Sequence, residues 1–515
     1  MNAKYSRCMS RRALAAAAAL CFALAAPAQT RLYDRTVRQN LWLAGTNAAG
    51  LREVRTADIS YAELYAGASR GGFRRSWESA SPWEAGAVAA TVKHLERFSM
   101  KGGFSFGQMS GPDMCGSMSV RPGYFPLDVL EFTPGYKTRQ TYAFDGSMSV
   151  DIAGGWRLGA AMDFTSANYS KRKDLRHTDY LLDMTVTPGL TYTNPAGDIT
   201  LGINYIYRRT SESIVAEQVG TGASSYYAFL DKGLQYGRHE VWSGSGVHLD
   251  EAGVQGFPQR EQFHGVGLQA GSGEVYYAGI EYLYGYGTAG EKQSVWYRFP
   301  SHNLNVRMAS VFGSGMRRVY LRAGYSWRYQ TNDETVLEKV VSGGVTLTEE
   351  LGSNRILARE TGCAEIEAEV VRPGFEYIVS LEYATHQATA SQMYPYIAES
   401  KDFTYRISFA PAWYLGDWDL GGGAAFGAGS VTEDSLRLSV EDSGVLTTPF
   451  RLQDHHDMEV RYLTAPKAGL SAFVRRNLPH GIYAEADGNF RCAFGGGFPD
   501  GSTRFAARLV LGWTF

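Results

Sequence analysis

The chain ends in the sequence TRFAARLVLGWTF, residues 503–515. Apolar side chains occupy every second position of this stretch: Phe505, Ala507, Leu509, Leu511, Trp513 and Phe515. Arg504 and Arg508 fall on the opposite face. Because successive side chains of a β-strand point to opposite sides, the alternation predicts a strand with one apolar and one polar face. Such a strand faces either lipid or the core of a soluble sheet, and the rest of the sequence distinguishes these cases.

The same alternation recurs along most of the chain. Its clearest examples span residues 138–152, 156–169, 180–192 and 199–209. These runs have about the 9 to 11 residues that a tilted strand needs to cross a bilayer, or slightly more. Short turns alternate with long polar segments. The turns lie at 153–155, 194–197, 271–273, 313–315, 372–374, 416–417 and 478–481, and the longest polar segments span 110–137, 210–261, 331–361 and 430–462.

This pattern resembles bacterial outer-membrane β-barrels, which have tight periplasmic turns and long surface loops. The resemblance implies an all-β fold, a transmembrane antiparallel up-and-down barrel of about 14 to 18 strands. An aromatic residue at the carboxyl terminus is the signal that the barrel-insertion machinery reads in that class. We therefore expect an assembly signal at Leu509, Leu511, Trp513 and Phe515. In its Tyr and Gly content the chain looks like large Bacteroidota-type barrel families. A soluble all-β sandwich is the alternative fold.

The amino terminus has the pattern of an export signal. A basic region that ends at Arg12 precedes an apolar stretch, 13–26, and Ala26-Pro27-Ala28 fits the A-x-A cleavage site. We expect three parts, which are a signal peptide at 1–28, a periplasmic or lumenal plug-like segment at 29–56 and an outer-membrane barrel at 57–515. The expected location is the cell outer membrane.

Composition excludes other classes of protein. The net charge of −2 provides no basic excess for binding nucleic acid. No apolar run of about 20 residues follows the export signal, so no membrane-spanning helix is predicted. Cys115, Cys363 and Cys492 are too few for a disulfide scaffold, and either isolated cysteines or a Cys115 to Cys363 bridge fits the sequence.

The segment before the first strand has one short motif. Asn47-Ala48-Ala49-Gly50 is similar to the Asn-Pro-Ala-Gly stretch near the start of fatty-acid-transporter-type barrels, with Ala48 in place of proline. In those barrels the amino-terminal segment lies inside the lumen as a plug. The resemblance implies a plug here, and a plain periplasmic lead-in is the alternative.

If the apolar face contacts lipid, the opposite face lines the lumen and carries charges of both signs. The candidate lumen-lining residues are Arg322, Arg328, Glu376, Glu382, Arg475, Glu485, Asp487, Arg491, Arg504 and Arg508. One interpretation is a set of salt bridges that holds the wall together, because charges away from bulk water are usually paired. The other is a ladder of arginines that selects polar or anionic solutes.

Three motifs suggest chemistry without supporting it. Residues 67–71 fit G-x-S-x-G, but no helix follows them, so we interpret them as a loop. Residues 285–290 fit G-x-G-x-x-G outside any βαβ unit, which indicates a turn. His455, His456 and Asp457 form the best metal-like group, yet adjacent strand histidines point apart, so a metal site would need an irregular loop. The sequence predicts no catalytic residue, no metal site, no cofactor and no enzyme.

The sequence thus favours a channel or plug-gated transporter for a small solute. A structural or docking barrel that binds a surface lipoprotein or secreted partner is the alternative, and an outer-membrane enzyme is a third possibility. The expected partners are outer-membrane lipid, the barrel-insertion machinery and a surface lipoprotein, with no nucleic acid.

Overall fold

The computed structural model describes residues 31–43, 45–53, 56–217, 226–234, 237–242, 257–290, 294–342, 345–393, 396–434 and 452–515. Within these ranges, eighteen strands form a closed antiparallel β-barrel. The barrel fold predicted from the alternation is therefore confirmed, at the upper end of the expected strand number. The predicted signal peptide lies outside the described residues.

Each barrel strand pairs with its neighbours along the chain, and β7 pairs with β10. The barrel strands are β1 (Ile59–Gly71), β2 (Trp83–His94), β3 (Phe98–Ser117), β4 (Asp128–Ala153), β5 (Trp156–Lys171), β6 (Arg176–Thr193), β7 (Thr200–Glu217), β10 (Phe257–Ser272), β11 (Tyr276–Gly290), β12 (Val295–Ser314), β13 (Arg317–Ser342), β14 (Val345–Arg372), β15 (Phe375–Met393), β16 (Tyr396–Leu415), β17 (Trp418–Asp434), β18 (Lys467–Asn477), β19 (Ile482–Ala493) and β20 (Thr503–Thr514). The remaining elements are the β8 (Tyr226–Asp231) and β9 (Gly237–Trp242) hairpin, helices α1 (Arg31–Gln39) and α2 (Leu452–Thr464), and 3₁₀ turns at Ala48–Glu53 and Pro479–Gly481.

The barrel closes where β20 pairs with β1. Leu511 lies opposite Leu64, and the backbone N–H of Phe515 donates to the carbonyl oxygen of Ser60 at 3.0 Å. The sequence stretch that predicted a two-faced strand thus forms the seam of the barrel. The pairing leaves neither β1 nor β20 as an open edge.

Large apolar side chains cover the outside of the sheet. Leu509 and Leu511 are 67% and 57% exposed, and Phe144 and Leu268 are exposed on other strands. Exposed aromatic residues lie near the short turns: Trp156, Tyr276, Trp413, Trp418 and Trp513. An apolar band with an aromatic girdle matches the lipid-facing surface of an outer-membrane barrel. The soluble sandwich would need polar outer faces and is wrong.

The connections that follow β2, β4, β6, β10, β12, β14, β16 and β18 are all short and lie at one end of the barrel, which we call the turn end. The opposite end, which we call the loop end, has the long connections. Between β4 and β5 the turn consists of Gly154 and Gly155, with φ of 57° and 85°. Glycine adopts these positive φ values without the steric cost that other residues have, as a two-residue hairpin requires. In the described ranges, no helix is long and apolar enough to span a membrane.

Several predicted loops are strands. Residues 331–342 and 345–361 belong to β13 and β14, which extend well past the length of a transmembrane strand. Paired strands satisfy each other's backbone groups in water as well as in lipid. Strands also enter both ends of the predicted loops 110–137 and 210–261. Residues 67–71 are the end of β1 and residues 285–290 the end of β11, so the loop and turn predictions there are wrong.

Candidate functional site: the inner face of the barrel

The residues predicted to line the lumen lie on the inner face of the sheet, and most of them are ion-paired. Arg475 Nε lies 2.8 Å from Glu485 Oε2, and Arg508 Nε lies 3.0 Å from Asp487 Oδ2. The first pair joins β18 to β19, and the second joins β19 to β20. This arrangement is the one expected of charges that hold a wall together. Their role in conduction stays a prediction.

The other candidates extend the pattern around the barrel. Arg322 lies 2.7 Å from Glu367, and Arg328 lies 3.1 Å from Glu261. Glu382 lies opposite Arg406 in the β15 to β16 register, and Arg491 lies opposite Arg504. Glu261, which the sequence suggested was the last residue of a surface loop, is buried inside the barrel.

Helix α1 lies inside the turn end and contacts the wall through ion pairs. Arg38 Nε donates to Glu369 Oε2 at 3.0 Å, and Gln39 donates to the same carboxylate at 2.7 Å. Arg35 Nε lies 3.1 Å from Glu376, which is one of the predicted lumen residues. Glu369 and Glu376 flank the short turn between β14 and β15. The helix is thus fixed at the turn end of that wall.

After α1 the chain crosses to other strands. The Asn40 side chain accepts hydrogen bonds from the backbone N–H groups of Trp42 and Leu43, both at 3.2 Å, so the helix ends in a local turn. Trp42 then packs edge-on against Tyr277 of β11, with ring centroids 5.1 Å apart. Together with other apolar residues these rings form a buried cluster between the segment and the wall.

Asn47 is the centre of the next contact. Its Nδ2 donates to the backbone oxygens of Leu190 and Ile203, both at 3.2 Å, and to Gln269 Oε1 at 2.9 Å. Ser149 Oγ donates to the carbonyl oxygen of Ala49 at 2.9 Å. One side chain therefore binds β6, β7 and β10 together.

Glycines in the wall make room for this stretch. A Cβ at Gly159 would lie 2.2 Å from the backbone nitrogen of Ala49. A Cβ at Gly189 would also lie 2.2 Å from Asn47 Oδ1. We call Gly159 and Gly189 the glycine groove. Only glycine permits the backbone at Ala49 to approach β5, and the side chain of Asn47 to approach β6, this closely.

Residues 48–53 complete the contact with two ion pairs, Arg52 with Asp151 and Glu53 with Arg157. Thr193 Oγ1 also donates to Glu53 at 2.7 Å. We call residues 31–53 the plug segment. Its contacts therefore reach β1 through the Tyr33 to Tyr61 ring pair, β6 through Asn47 and β14 through Arg38.

At the loop end, the connection 118–127 folds into the barrel. Tyr124 is fully buried, and its hydroxyl donates to Glu261 Oε2 at 3.2 Å. The guanidinium groups of Arg121 and Arg328 lie 4.1 Å and 4.9 Å from its ring centroid. Cation–π contacts of this kind are favourable, and they are stronger away from water. The backbone N–H of Val120 also donates to Glu212 at 2.6 Å.

Helix α2 covers another part of the loop end. Glu459 accepts hydrogen bonds from Arg75 at 3.1 Å and from the Ser76 backbone at 2.9 Å. His455 is buried against Trp77 and Phe132, with ring centroids 5.9 Å and 6.3 Å away. The sequence suggested a solvated loop here, and the helix that buries His455 shows that this was wrong. Among the residues described, no group of three potential ligands could hold a metal ion.

The buried His455 predicts that α2 loosens in acid. Burial, with a smaller contribution from His456, lowers the pKa of His455 from 6.5 to about 3. The undocked helix therefore takes up a proton that the docked helix excludes. Docking is fully stable above about pH 6.5, and by about pH 5 it should have lost roughly 2 kcal/mol. We expect faster proteolysis within 452–464 at pH 5 than at pH 7.5. His455→Phe should remove this difference and His456→Asn should keep it, whereas an unchanged pH response in H455F would contradict the assignment.

The sequence did not single out the residues that make these contacts inside the barrel. Arg35 and Arg38 were not singled out, although their three-residue spacing places both on one face of a helix. Gly159 and Gly189 lie on the polar side of their alternating strands. A glycine at such a position can indicate that another segment approaches the strand closely. Tyr124 had no local signal, because its partners come from β7, β10 and β13.

Cys115 is a free thiol, so it forms no bridge with Cys363.

A family model described as "Family of unknown function (DUF6850)" matches residues 48–515. The chain belongs to this family. The match takes in every strand of the barrel and begins at Ala48, within the plug segment. No curated protein matches the DUF6850 chain. The Bacteroidota assignment stays a prediction.

Solved structures similar to this DUF6850 member include outer-membrane receptors and transporters. BauA, the ferric preacinetobactin receptor of Acinetobacter baumannii, has a TM-score of 0.42 at 8% identity over 89% of this chain and 80% of its own. The FrpB iron transporter of Neisseria meningitidis has a TM-score of 0.41 at 9% identity over 91% and 83%. The RagAB peptide transporter has 0.39 at 10% over 89% and 75%. With identities and TM-scores this low, the likenesses do not bear on what the DUF6850 chain binds.

Proposed function

We propose that the protein is an outer-membrane transporter for a small polar solute, and that its own plug segment gates the lumen. The turn end faces the periplasm and the loop end faces outside, as in other barrels with short turns and long loops. The outward apolar belt supports the membrane location, and the charged inner face supports a polar solute.

The observation that carries this proposal is the span of the plug segment. Its contacts on β1, β6 and β14 divide the ring of eighteen strands into intervals of five, six and seven steps. Contacts spaced about a third of the circumference apart support a segment that crosses the lumen, because a segment lying on one wall would contact only adjacent strands. A periplasmic segment with no role inside the barrel would not need these contacts on β1, β6 and β14.

The chemistry of these contacts suits a gate. Arg38, Arg35 and Gln39 reach Glu369 and Glu376 through polar groups, which water can solvate when the contacts open. The apolar part of the interface, around Trp42 and Tyr277, is small in comparison with a domain core. The segment can therefore detach without unfolding the barrel, whose own strand pairs do not depend on it.

Solute flux into liposomes tests the proposal. Protein that lacks residues 31–53, with the export signal retained, is reconstituted beside the full mature protein, and swelling is followed in sugars of increasing size. We expect faster swelling for the shortened protein, with an upper limit on sugar size. Heat-modifiable migration on gels controls for equal folding. Equal swelling of both proteins would count against a gating segment.

The second candidate function is a docking barrel, and the β13 to β14 hairpin favours it. This hairpin extends beyond the transmembrane length, and its outer part exposes Val336, Val341, Leu347 and Leu351. Exposed apolar groups of this kind often mark a contact surface. A surface lipoprotein that copurifies with the intact protein and is lost when the outer part of the hairpin is shortened would support this reading.

A further inference from the structure

Two carboxyl groups meet inside the loop end of the barrel, at the connection 118–127. The backbone N–H of Val120 donates to Asp179 Oδ2 of β6 at 2.7 Å and to Glu212 Oε1 of β7 at 2.6 Å. The backbone N–H of Arg121 adds a longer hydrogen bond to Glu212 Oε1, at 3.3 Å. The two carboxyl groups are close enough to hydrogen-bond to each other. We call Asp179 and Glu212 the carboxyl pair.

The carboxyl pair is removed from water. Asp179 is 0% exposed and Glu212 is 1% exposed. Asp179 Oδ1 and Glu212 Oε2 have no hydrogen-bond partner among the described atoms. Two ionised carboxylates in such a site would repel each other, and two backbone N–H groups would not replace their lost hydration. One shared proton removes the repulsion and gives the pair a hydrogen bond of its own.

The arginines at this end of the barrel bind other carboxylates. Asp183 of β6 lies 2.7 Å from Arg121 and 2.7 Å from Arg208. Glu261 of β10 lies 3.1 Å from Arg328. Within the ranges that the structure describes, neither member of the carboxyl pair forms an ion pair with lysine, arginine or histidine. No cation of the wall therefore takes the place of a proton on the pair.

The other titratable groups around the pair supply no positive charge to it. Tyr169 of β5 lies opposite Asp179. On β6, His177 lies on the same face as Asp179, and burial lowers its pKa well below 6.5, so its ring is neutral. Lys137 and Lys171, whose charges also act on His177, both bind Glu131, at 3.0 Å and 2.6 Å.

The pair lies beyond the transmembrane part of its strands. A tilted strand crosses a bilayer in about 9–11 residues, whereas Asp179 is 14 residues from Thr193 and Glu212 is 12 residues from Thr200, at the turn end. Burial and the negative charges of Glu212 and Asp128 raise the pKa of Asp179 well above 3.8. Asp179 therefore keeps a proton at pH values at which an exposed aspartate has lost it.

We propose that the carboxyl pair holds one proton between its two members, and that this proton stabilises the connection 118–127 in its place inside the barrel. When the proton leaves, two like charges face each other around Val120, and they regain hydration if the connection moves away. The connection carries Tyr124, which is buried inside the barrel, so loss of the proton opens the loop end. The inference goes beyond the proposed function, because it does not require the plug segment to gate the lumen.

The direction of the pH effect follows from the raised pKa. When the connection detaches, water reaches the pair and the pKa of Asp179 returns toward 3.8. The docked state therefore holds the proton more tightly than the detached state. This contribution to docking is fully present below the ordinary pKa and is lost as the pH rises through the pKa of the docked state. Above that pKa, one proton per opening makes the detached state about tenfold more populated per pH unit.

Hydrogen exchange of the backbone amides in 118–127 tests the inference on the folded mature protein in detergent. Each rate is compared with the intrinsic exchange rate at the same pH, so that the comparison reports opening alone. We expect protection to fall by about tenfold or more between pH 6.5 and pH 9. This range lies above the pKa of Asp128, which burial raises to about 6, and above the range in which α2 loosens.

Two variants remove the titration and keep a side chain that hydrogen-bonds within the pair. We expect Asp179→Asn and Glu212→Gln each to retain protection of 118–127 between pH 6.5 and pH 9. Asp333→Asn is the matched control, because Asp333 is a loop-end carboxylate that pairs with Arg355 at 2.9 Å, and it should show the wild-type fall. If one pair variant fails to fold, the other still decides.

Equal protection of the wild-type connection at pH 6.5 and pH 9 would overturn the inference. The same fall in the folded pair variants as in the wild type would also overturn it, since another group would then titrate. A loss of wild-type protection at pH 6.5 on addition of EDTA would do the same, because a metal ion would then occupy the place of the proton.

Discussion

Replacing both Gly159 and Gly189 with valine is expected to drive residues 47–49 of the plug segment off the wall. Each new Cβ would lie 2.2 Å from plug-segment atoms, and at Gly159 the atom it meets is backbone nitrogen, which cannot rotate away. Overpacking of this kind costs about 1–3 kcal/mol per site. Even one such site shifts a two-state equilibrium by about 5- to 150-fold.

The readout is the rate at which a cysteine at Ala48, a buried position, reacts with a thiol reagent in the folded protein. We expect faster labelling in the double glycine variant. Gly146→Val is the control, because its added Cβ would meet nothing within 4 Å. Unchanged labelling in G159V/G189V would show that the glycine groove does not hold the segment.

Replacing Leu511 with arginine is expected to block assembly of the barrel. Leu511 is 57% exposed on the outer face of β20 and lies opposite Leu64 of β1 at the closing seam. An arginine on the lipid face costs about 2–4 kcal/mol near the bilayer midplane. That cost acts on the strand pair that closes the barrel, so the folded fraction should fall sharply.

Heat-modifiable, membrane-inserted protein measures this effect. The control is Thr514→Arg, on the inner face of the same strand at the turn end, where the new arginine does not face lipid. Deletion of Phe515 tests the predicted assembly signal in the same assay. Wild-type levels of folded L511R would mean that this face of β20 does not contact lipid.

The fold could be predicted because its signal is local. Alternation within β20, and two-residue turns such as Gly154-Gly155, are set by neighbouring residues and by backbone geometry. The ends of strands were less predictable. Residues 331–342 and 345–361 are polar enough to resemble a loop, yet they pair as strands beyond the membrane, where water accepts polar side chains on both faces.

The contacts inside the barrel could not be predicted, because they join residues far apart in the chain. Arg38 meets Glu369, and Tyr124 meets Glu261 and Arg328. Charge on the inner face was visible in the sequence, but which charges are paired depends on register across strands. Arg508 and Arg504 look alike in the sequence, and only the structure shows that Asp487 lies 3.0 Å from Arg508 and that Glu78 lies 4.0 Å from Arg504.

Single-channel conductance of four proteins tests the gating account most directly. They are the mature protein, a form without residues 31–53, a form with Arg121→Ala and Tyr124→Ala to weaken the loop-end closure, and a form with both changes. Because the two closures lie in series along one lumen, each single change should give small or infrequent openings. The combined form should conduct more than the two single forms together. The contradicting result is a conductance that removal of residues 31–53 leaves unchanged, both with the native loop end and with the Arg121→Ala and Tyr124→Ala changes. The plug segment would then not gate the lumen.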